Sequence, residues 1–140
     1  MDIRQITPRF FASPQIEPAD MAALKEAGVT LVLCNRPDEE VPPNLQHTAI
    51  KHAAEQAGIA FAFQPLTHQT MTPDVIAHNR DISVFRDETV LAYCASGTRS
   101  TIAWALGQAG DQSADDLIDA ARAGGYDLSH LRGPLSTRYA

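Results

Sequence analysis

A cysteine and an arginine lie close together in the segment Cys94-Ala95-Ser96-Gly97-Thr98-Arg99-Ser100. A cysteine thiolate is a strong nucleophile, and nearby N–H donors or cations stabilise it. Arg99 carries a permanent charge on a planar fork of N–H donors that suits oxyanions. These residue types indicate a nucleophile beside an anion-binding group, which is the chemistry of group transfer from an anionic substrate.

The elements around this segment explain how it would be positioned. Residues 90–93 are an apolar run typical of a buried strand, and apolar residues from Ile102 to Leu106 predict a helix after the loop. Ligands bind at the carboxyl ends of strands in open α/β sheets, where loop amides and a helix N-terminus attract anions. We therefore expect Cys94 and Arg99 to be catalytic. The expected substrate-binding residues are those of the rest of the loop, Ala95, Ser96, Gly97, Thr98 and Ser100.

Strand and helix patterns alternate along the rest of the chain. Strands are predicted over residues 29–34, 59–63 and 90–93. Helices are predicted over residues 18–27, 44–57, 72–85 and 113–124, besides the helix that follows the loop. This alternation predicts an α/β fold for residues 1–140, a single domain with a mostly parallel sheet flanked by helices.

Composition limits the classes of partner. The 140 residues carry a formal charge of −6, so nucleic acid is not an expected partner. The two cysteines, Cys34 and Cys94, form no disulfide framework or zinc-binding pattern, so we expect neither metal nor cofactor. No apolar run is long enough for a signal or a membrane span, and we expect a cytoplasmic protein that does not bind membranes.

The pattern Cys94-x-x-Gly97-x-Arg99-Ser100 resembles the active-site loop of rhodanese-type sulfurtransferases and of cysteine phosphatases. Nearly the whole chain resembles a bacterial family called beta-lactamase-hydrolase-like phosphatase, or DUF442, whose members are also described as sulfur transferases. The matching pieces outside the loop are Ser13-Pro14-Gln15, Asn35-Arg36-Pro37-Asp38-Glu39-Glu40, Ala57-Gly58, Phe63-Gln64-Pro65-Leu66, Trp104 and Gly125-Tyr126-Asp127-Leu128. The resemblance implies a fold like that of dual-specificity phosphatases.

Two departures from the phosphatase pattern favour sulfur transfer. Four residues separate Cys94 from Arg99, as in the rhodanese loop, whereas phosphatases of this fold have five. The stretch Pro65-Leu66-Thr67-His68-Gln69, where these phosphatases carry an acidic Asp, has none. Transfer of sulfane sulfur from thiosulfate or a persulfide expels a better leaving group than cleavage of a phosphoester does, and it can proceed without an acid. We therefore expect a sulfurtransferase that passes sulfur through a Cys94 persulfide to a thiol acceptor.

Two alternatives remain open. In a phosphatase, Cys94 would form a phosphocysteine and Arg99 would bind the phosphoryl oxygens. In a non-catalytic oxyanion-binding or redox-sensing module, oxidation of Cys94 would be the signal. The expected ligand is in each case a small anion that contains sulfur or phosphorus.

Polar residues after the other strands are further candidates. Arg36 follows a strand end and is a second possible anion contact, and Asp38 is an acid or a partner that orients Arg36. Arg36 and Asp38 are equally consistent with a turn whose charged side chains are simply solvated. His68 lies where an acid is expected and titrates near neutral pH, although a polar loop residue is the simpler interpretation.

Three more side chains have a chemical and a structural interpretation. Cys34 is either a resolving thiol for Cys94 or an inert thiol at the end of an apolar strand, and the second is preferred. Ser100 either donates to the Cys94 sulfur or caps the helix. Glu40, with Glu39, is expected to be a solvated charge.

Overall fold

The computed structural model describes residues 1–140, and the apolar runs of the sequence form a five-stranded sheet. The strands are β1 (Arg4–Thr7), β2 (Phe10–Ser13), β3 (Leu31–Cys34), β4 (Ala60–Phe63) and β5 (Val90–Tyr93). The helices are α1 (Met21–Glu26), α2 (His47–Gln56), α3 (Pro73–Ser83), α4 (Thr98–Gln108), α5 (Ala114–Ala123) and α6 (Arg132–Leu135).

The strands lie in the order β1-β2-β5-β3-β4. β5 is at the centre and is parallel to both β2 and β3, and β4 is parallel to β3. Only the edge strand β1 runs antiparallel to its neighbour. Because four strands point the same way, the loops that follow them emerge at one edge of the sheet.

Helices cover both faces of the sheet. One apolar cluster joins Val32 and Leu91 to side chains of α1 and α2, such as Leu24 and Ile50. The larger cluster, on the opposite face, joins the sheet to α3, α4, α5 and α6. The predicted α/β class with a mostly parallel sheet flanked by helices is confirmed. No helix combines the length and the apolar character that crossing a membrane requires.

Short elements account for the differences from the sequence prediction. β1, β2 and α6 have four residues each and were not predicted as elements. The first predicted helix divides into a 3-10 turn (Pro18–Asp20) followed by α1. α3 ends at Ser83, so that Phe85 lies outside it and is 64% exposed instead of continuing the apolar face.

We expect Leu33→Ala to reduce the free energy of unfolding by about 2–5 kcal/mol, because Leu33 is fully buried in a strand next to β5 and its loss leaves a cavity. Urea unfolding measures the effect. Val84→Ala is the control, since Val84 is 37% exposed and its truncation should cost less than about 0.5 kcal/mol. Equal losses in the two variants would contradict the assigned core.

Candidate active site

The loop that carries Cys94 begins at the end of the central strand. Cys34 of β3 is in register with Tyr93 of β5 and with Phe63 of β4. The next residues along these strands, Asn35, Gln64 and Cys94, therefore enter three loops at the same edge of the sheet. The parallel register brings together segments that are far apart in the sequence.

The loop turns at Gly97 around the sulfur of Cys94. Gly97 has φ +98°, a left-handed conformation that side chains resist, and its N–H donates to Cys94 Sγ at 3.2 Å. Cys94 is 1% exposed and lies at the base of the loop. α4 begins at the next residue, Thr98, so its N-terminus adds positive potential beside the sulfur.

Several backbone N–H groups of this loop have no acceptor within the protein. They belong to Ala95, Ser96, Arg99 and Ser100. Arg99 is half-buried and Ser100 is buried, where an amide is normally paired, so unpaired donors at this helix N-terminus are suited to an oxyanion. The loop thus presents unpaired donors beside Cys94, where the sequence predicts an anion site.

Tyr126 supports the loop from the side. Its hydroxyl donates to Ser96 O at 3.0 Å, and the ring is 7% exposed. A Cβ atom placed on Gly97 would lie 2.0 Å from that hydroxyl and 3.2 Å from the backbone of Ser13. Only glycine therefore fits at position 97, for reasons of both conformation and space.

Arg99 is held by acceptors from two other loops. Its Nη1 donates to Glu40 Oε2 and to Leu66 O, both at 2.8 Å, and its Nη2 donates to Glu40 Oε1 at 2.7 Å. These bonds use three of the five guanidinium N–H groups. The Nε–H and the second Nη2–H, which lie along one edge, are left as a parallel pair. Such a pair matches two oxygens of a phosphate or a similar anion.

The charges around Arg99 stabilise one another. Glu40 raises the pKa of Arg99, and the nearby sulfur of Cys94 adds to this effect. In turn Arg99 holds the pKa of Glu40 below its usual range, with a smaller contribution from Arg36. The guanidinium therefore stays charged with its direction fixed.

A buried chain of amide groups links the loops behind Arg99. Ser100 Oγ donates to Asn35 Oδ1 at 2.8 Å, and Asn35 Nδ2 donates to Gln64 O at 2.9 Å. Asn35 O also accepts from the N–H of Leu66 at 2.8 Å, which positions the carbonyl that Arg99 uses. The Ser100 hydroxyl is thus bonded to Asn35, whereas the sequence analysis had offered Cys94 or a capping role for it.

A cleft of about 460 Å³ opens in front of the loop. Arg99 and His68 both line it, and His68 is exposed. The other lining residues are Glu40, Thr67, Gln69, Ala95, Ser96 and Thr98. The structure therefore brings His68 to the same cleft as the loop, and Glu40 is the only carboxylate there.

Arg36 and Asp38 do not line this cleft. Arg36 donates to Glu40 Oε1 and to Gln15 Oε1, both at 3.2 Å, so it supports the residue that holds Arg99. The Asp38 carboxylate accepts from the His47 backbone at 2.8 Å and lies 2.6 Å from His47 Nδ1. The structure places Asp38 at the start of α2, away from the residues that line the cleft.

Cys34 is a second free cysteine, 2% exposed, and burial raises the pKa of its thiol to about 11. It is in contact with the carbonyl of Arg36 at 3.4 Å. Such a thiol stays protonated at neutral pH, which favours the inert interpretation. No three His, Cys, Asp or Glu side chains converge where they could hold a metal ion.

Comparison with known proteins identifies the family. Residues 2–111 match the family model "Beta-lactamase hydrolase-like protein, phosphatase-like domain". The chain belongs to this family. The resemblance read from the sequence is thereby confirmed for the phosphatase-like family, although none of the comparisons carries the sulfur transferase description.

Individual relatives agree with this assignment. A beta-lactamase hydrolase-like protein of Agrobacterium fabrum is 30% identical over 126 residues, which cover 89% of this chain and 29% of the relative. The chain thus spans less than a third of that protein's length. A Neisseria meningitidis structure named as a "putative phosphatase" is 31% identical, with a TM-score of 0.85 and 96% of each chain covered.

The fold extends to more distant proteins. The core catalytic domain of a PP-IP phosphatase from S. cerevisiae is 12% identical and has a TM-score of 0.69, covering 94% of this chain and 81% of that one. At that identity the likeness shows the fold alone. The fold implied by the resemblance, that of cysteine phosphatases, is confirmed.

Glu40 is the site residue that sequence reasoning missed. It was expected to be solvated, yet it holds the guanidinium of Arg99, which lies 59 positions away. One local signal was present, because Arg36 lies four residues before Glu40 in a piece that matches the family. Tyr126 was also in a matching piece, and only the structure shows that it supports the loop.

We expect Glu40→Gln to reduce the free energy of unfolding at pH 7 by about 0.5–1 kcal/mol, because the charge of a partly exposed ion pair with Arg99 is lost and solvent screens much of its contribution. The pKa of Glu40 is lowered in the folded state, so its contribution is present above its unfolded pKa of about 4.3. The contribution of the ion pair to stability is lost as the pH falls through the folded-state pKa of Glu40, because the carboxylate then takes up a proton. Urea unfolding of both proteins at pH 7 and at pH 3 measures the difference.

The matched control is Glu39→Gln, since Glu39 is exposed and its side chain makes no hydrogen bond or ion pair. That variant should have the stability of the natural protein at both pH values. A Glu40→Gln loss that is the same at pH 3 as at pH 7 would contradict the assigned ion pair.

Proposed function

We propose that the protein is a cysteine-dependent phosphatase that hydrolyses phosphomonoesters through Cys94. The observation that carries the proposal is the free N–H pair of Arg99, held beside Cys94 and a loop with unpaired amides. The family match and the Neisseria structure favour this chemistry over the sulfur transfer that the loop length had favoured.

In the first step the phosphate lies on the loop, with two oxygens on Arg99 and the others on the amides. The Cys94 thiolate attacks phosphorus, so that a P–S bond forms and the P–O bond to the leaving group breaks. Charge on the phosphoryl oxygens is stabilised by donors that are already oriented, which is the largest single contribution in many enzymes. Glu40 keeps Arg99 in that orientation.

The leaving oxygen needs a proton. His68 is the imidazole that lines the cleft, and imidazole is the most common general acid in enzymes. Glu40 is a poor acid, because its pKa is lowered and both its oxygens accept from Arg99. A positioned acid contributes roughly 10²–10⁴ in rate, so His68 determines how basic a leaving group the enzyme tolerates.

In the second step water attacks the phosphocysteine. A P–O bond forms, the P–S bond breaks, and Cys94 returns as the thiolate while inorganic phosphate leaves. His68, now without its proton, can accept one from the attacking water. The same donors on Arg99 and the loop act in both steps.

Sulfur transfer is the second candidate, and a specific observation favours it. The cleft contains no carboxylate that could serve as an acid, and four residues separate Cys94 from Arg99. With thiosulfate, Cys94 would attack the outer sulfur, the S–S bond would break and sulfite would leave. The sulfur would then pass from the Cys94 persulfide to a thiol acceptor.

We expect the natural protein to release phosphate from phenyl phosphate and Cys94→Ser to lose at least about 10³-fold in kcat, because the P–S bond is no longer formed. Phosphate release measures the turnover. Cys34→Ala is the matched control and should retain the activity, since the Cys34 thiol is buried and protonated.

The same proteins are incubated with thiosulfate and examined by intact mass. One added sulfur on the natural protein but not on Cys94→Ser, without any phosphate release, would replace the phosphatase by the sulfurtransferase. If neither reaction occurs and peroxide gives a reversible sulfenic acid at Cys94, the site is a redox sensor and the proposed hydrolysis is wrong.

A further inference from the structure

A second cavity adjoins the cleft of the candidate active site. It has a volume of about 300 Å³ and is lined by apolar residues that include Met71, Ile102, Leu106, Leu131 and Tyr139. His68 and Thr98 line both this cavity and the cleft of Arg99. A molecule whose anionic group lies on Arg99 can therefore extend from the cleft into this apolar groove.

The groove is held open by ordered contacts on both sides. Ile102 and Leu106 lie on α4 and are 7% and 5% exposed, so the floor is part of the core. On the other side, the Tyr139 hydroxyl donates to Met71 O, and Arg80 donates to Ala140 O at 3.0 Å. These bonds pin the C-terminal segment as a fixed wall, which is the property of a preformed ligand site.

Charge in the two cavities limits the polar part of the ligand. Arg99 is the only Lys or Arg side chain that lines either of them, and Glu40 already pairs with it. A second phosphate would find no second Lys or Arg, since the other basic groups that line the two cavities are the imidazoles of His68 and His130. The ligand should therefore carry one anionic group, and the volume of the groove suits a compact apolar body of one or two rings.

We propose that this groove binds the aryl body of a phosphomonoester whose phosphate lies on Arg99. The inference deepens the proposed phosphatase function and rests on it for the phosphate. Leu131 and Tyr139 form the wall and lie beyond residues 2–111, which the family model matches. The preference thus depends on the C-terminal segment as well as on the loop that carries Cys94.

The first experiment measures binding of three phosphonates to the natural protein by calorimetry. Methylphosphonate, phenylphosphonate and 2-naphthylphosphonate share the anionic group and differ in the apolar body. We expect the Kd to fall at least about tenfold from the methyl to the naphthyl compound, since each apolar group enters a desolvated pocket.

Two substitutions test whether the groove is responsible. Leu131→Ser removes an apolar wall, and Leu131→Trp fills the space, so both should reduce the naphthyl-to-methyl preference about tenfold. Val84→Ser is the control, because Val84 is exposed and lies in another cavity at the opposite end of the sheet. It should retain the preference. Circular dichroism confirms that each variant is folded.

Turnover separates failure of this inference from failure of the proposed function. The ratio of kcat/KM for 2-naphthyl phosphate to that for phenyl phosphate should fall in both Leu131 variants. If both esters are hydrolysed but all three phosphonates bind equally, the proposed role of the groove is wrong and the proposed phosphatase function stands. A binding preference for the naphthyl compound that depends on Leu131, without any phosphate release, would support the groove and contradict the phosphatase function.

The groove has one other occupant to consider. If sedimentation shows a dimer that Leu131→Trp dissociates, and the phosphonates bind alike, the apolar surface is a contact between copies of this chain. That result would overturn the proposal.

Discussion

The site depends on the ion pair between Arg99 and Glu40. It joins the start of α4 to the loop after β3, and the bond from Arg99 to Leu66 O adds the loop after β4. A guanidinium in solution would turn freely among its rotamers. Here the acceptors occupy one end of the group, and the other edge keeps a fixed direction beside Cys94. The orientation of the Arg99 guanidinium is therefore a consequence of contacts among three strand ends.

The loop that faces Arg99 gives up stability for function. Several amides of the loop remain without acceptors, including the buried one of Ser100, and Gly97 adopts a conformation that other residues resist. Tyr126 and the chain from Ser100 to Asn35 offset part of this cost by fixing the loop from outside. An anion that takes the unpaired amides removes the remaining cost, so the loop is arranged for a ligand in advance.

The residues of the candidate site that are neighbours in the sequence could be predicted, whereas those that only the tertiary structure brings together could not. A cysteine, a glycine and an arginine within one strand-to-helix turn identify the loop, since all three act through neighbouring atoms. Glu40 could not be chosen over Asp38, because both are acidic residues in one short turn. Only the packed structure directs Asp38 to His47 and Glu40 to Arg99. Three strands were predictable from apolar runs, whereas β1 has one apolar residue among its four and gives no such pattern.

The most direct test of the central claim is a titration with inorganic phosphate, followed by NMR of the loop amides and of the Arg99 Nε–H. The account predicts that the resonances of Ala95, Ser96, Arg99 and Ser100 shift together with Arg99 Nε–H and reach saturation at one Kd. The amide of Gly97, which already donates to Cys94 Sγ, should shift less. If phosphate leaves these resonances in place, or shifts only residues outside the cleft, Arg99 and the loop are not an anion site.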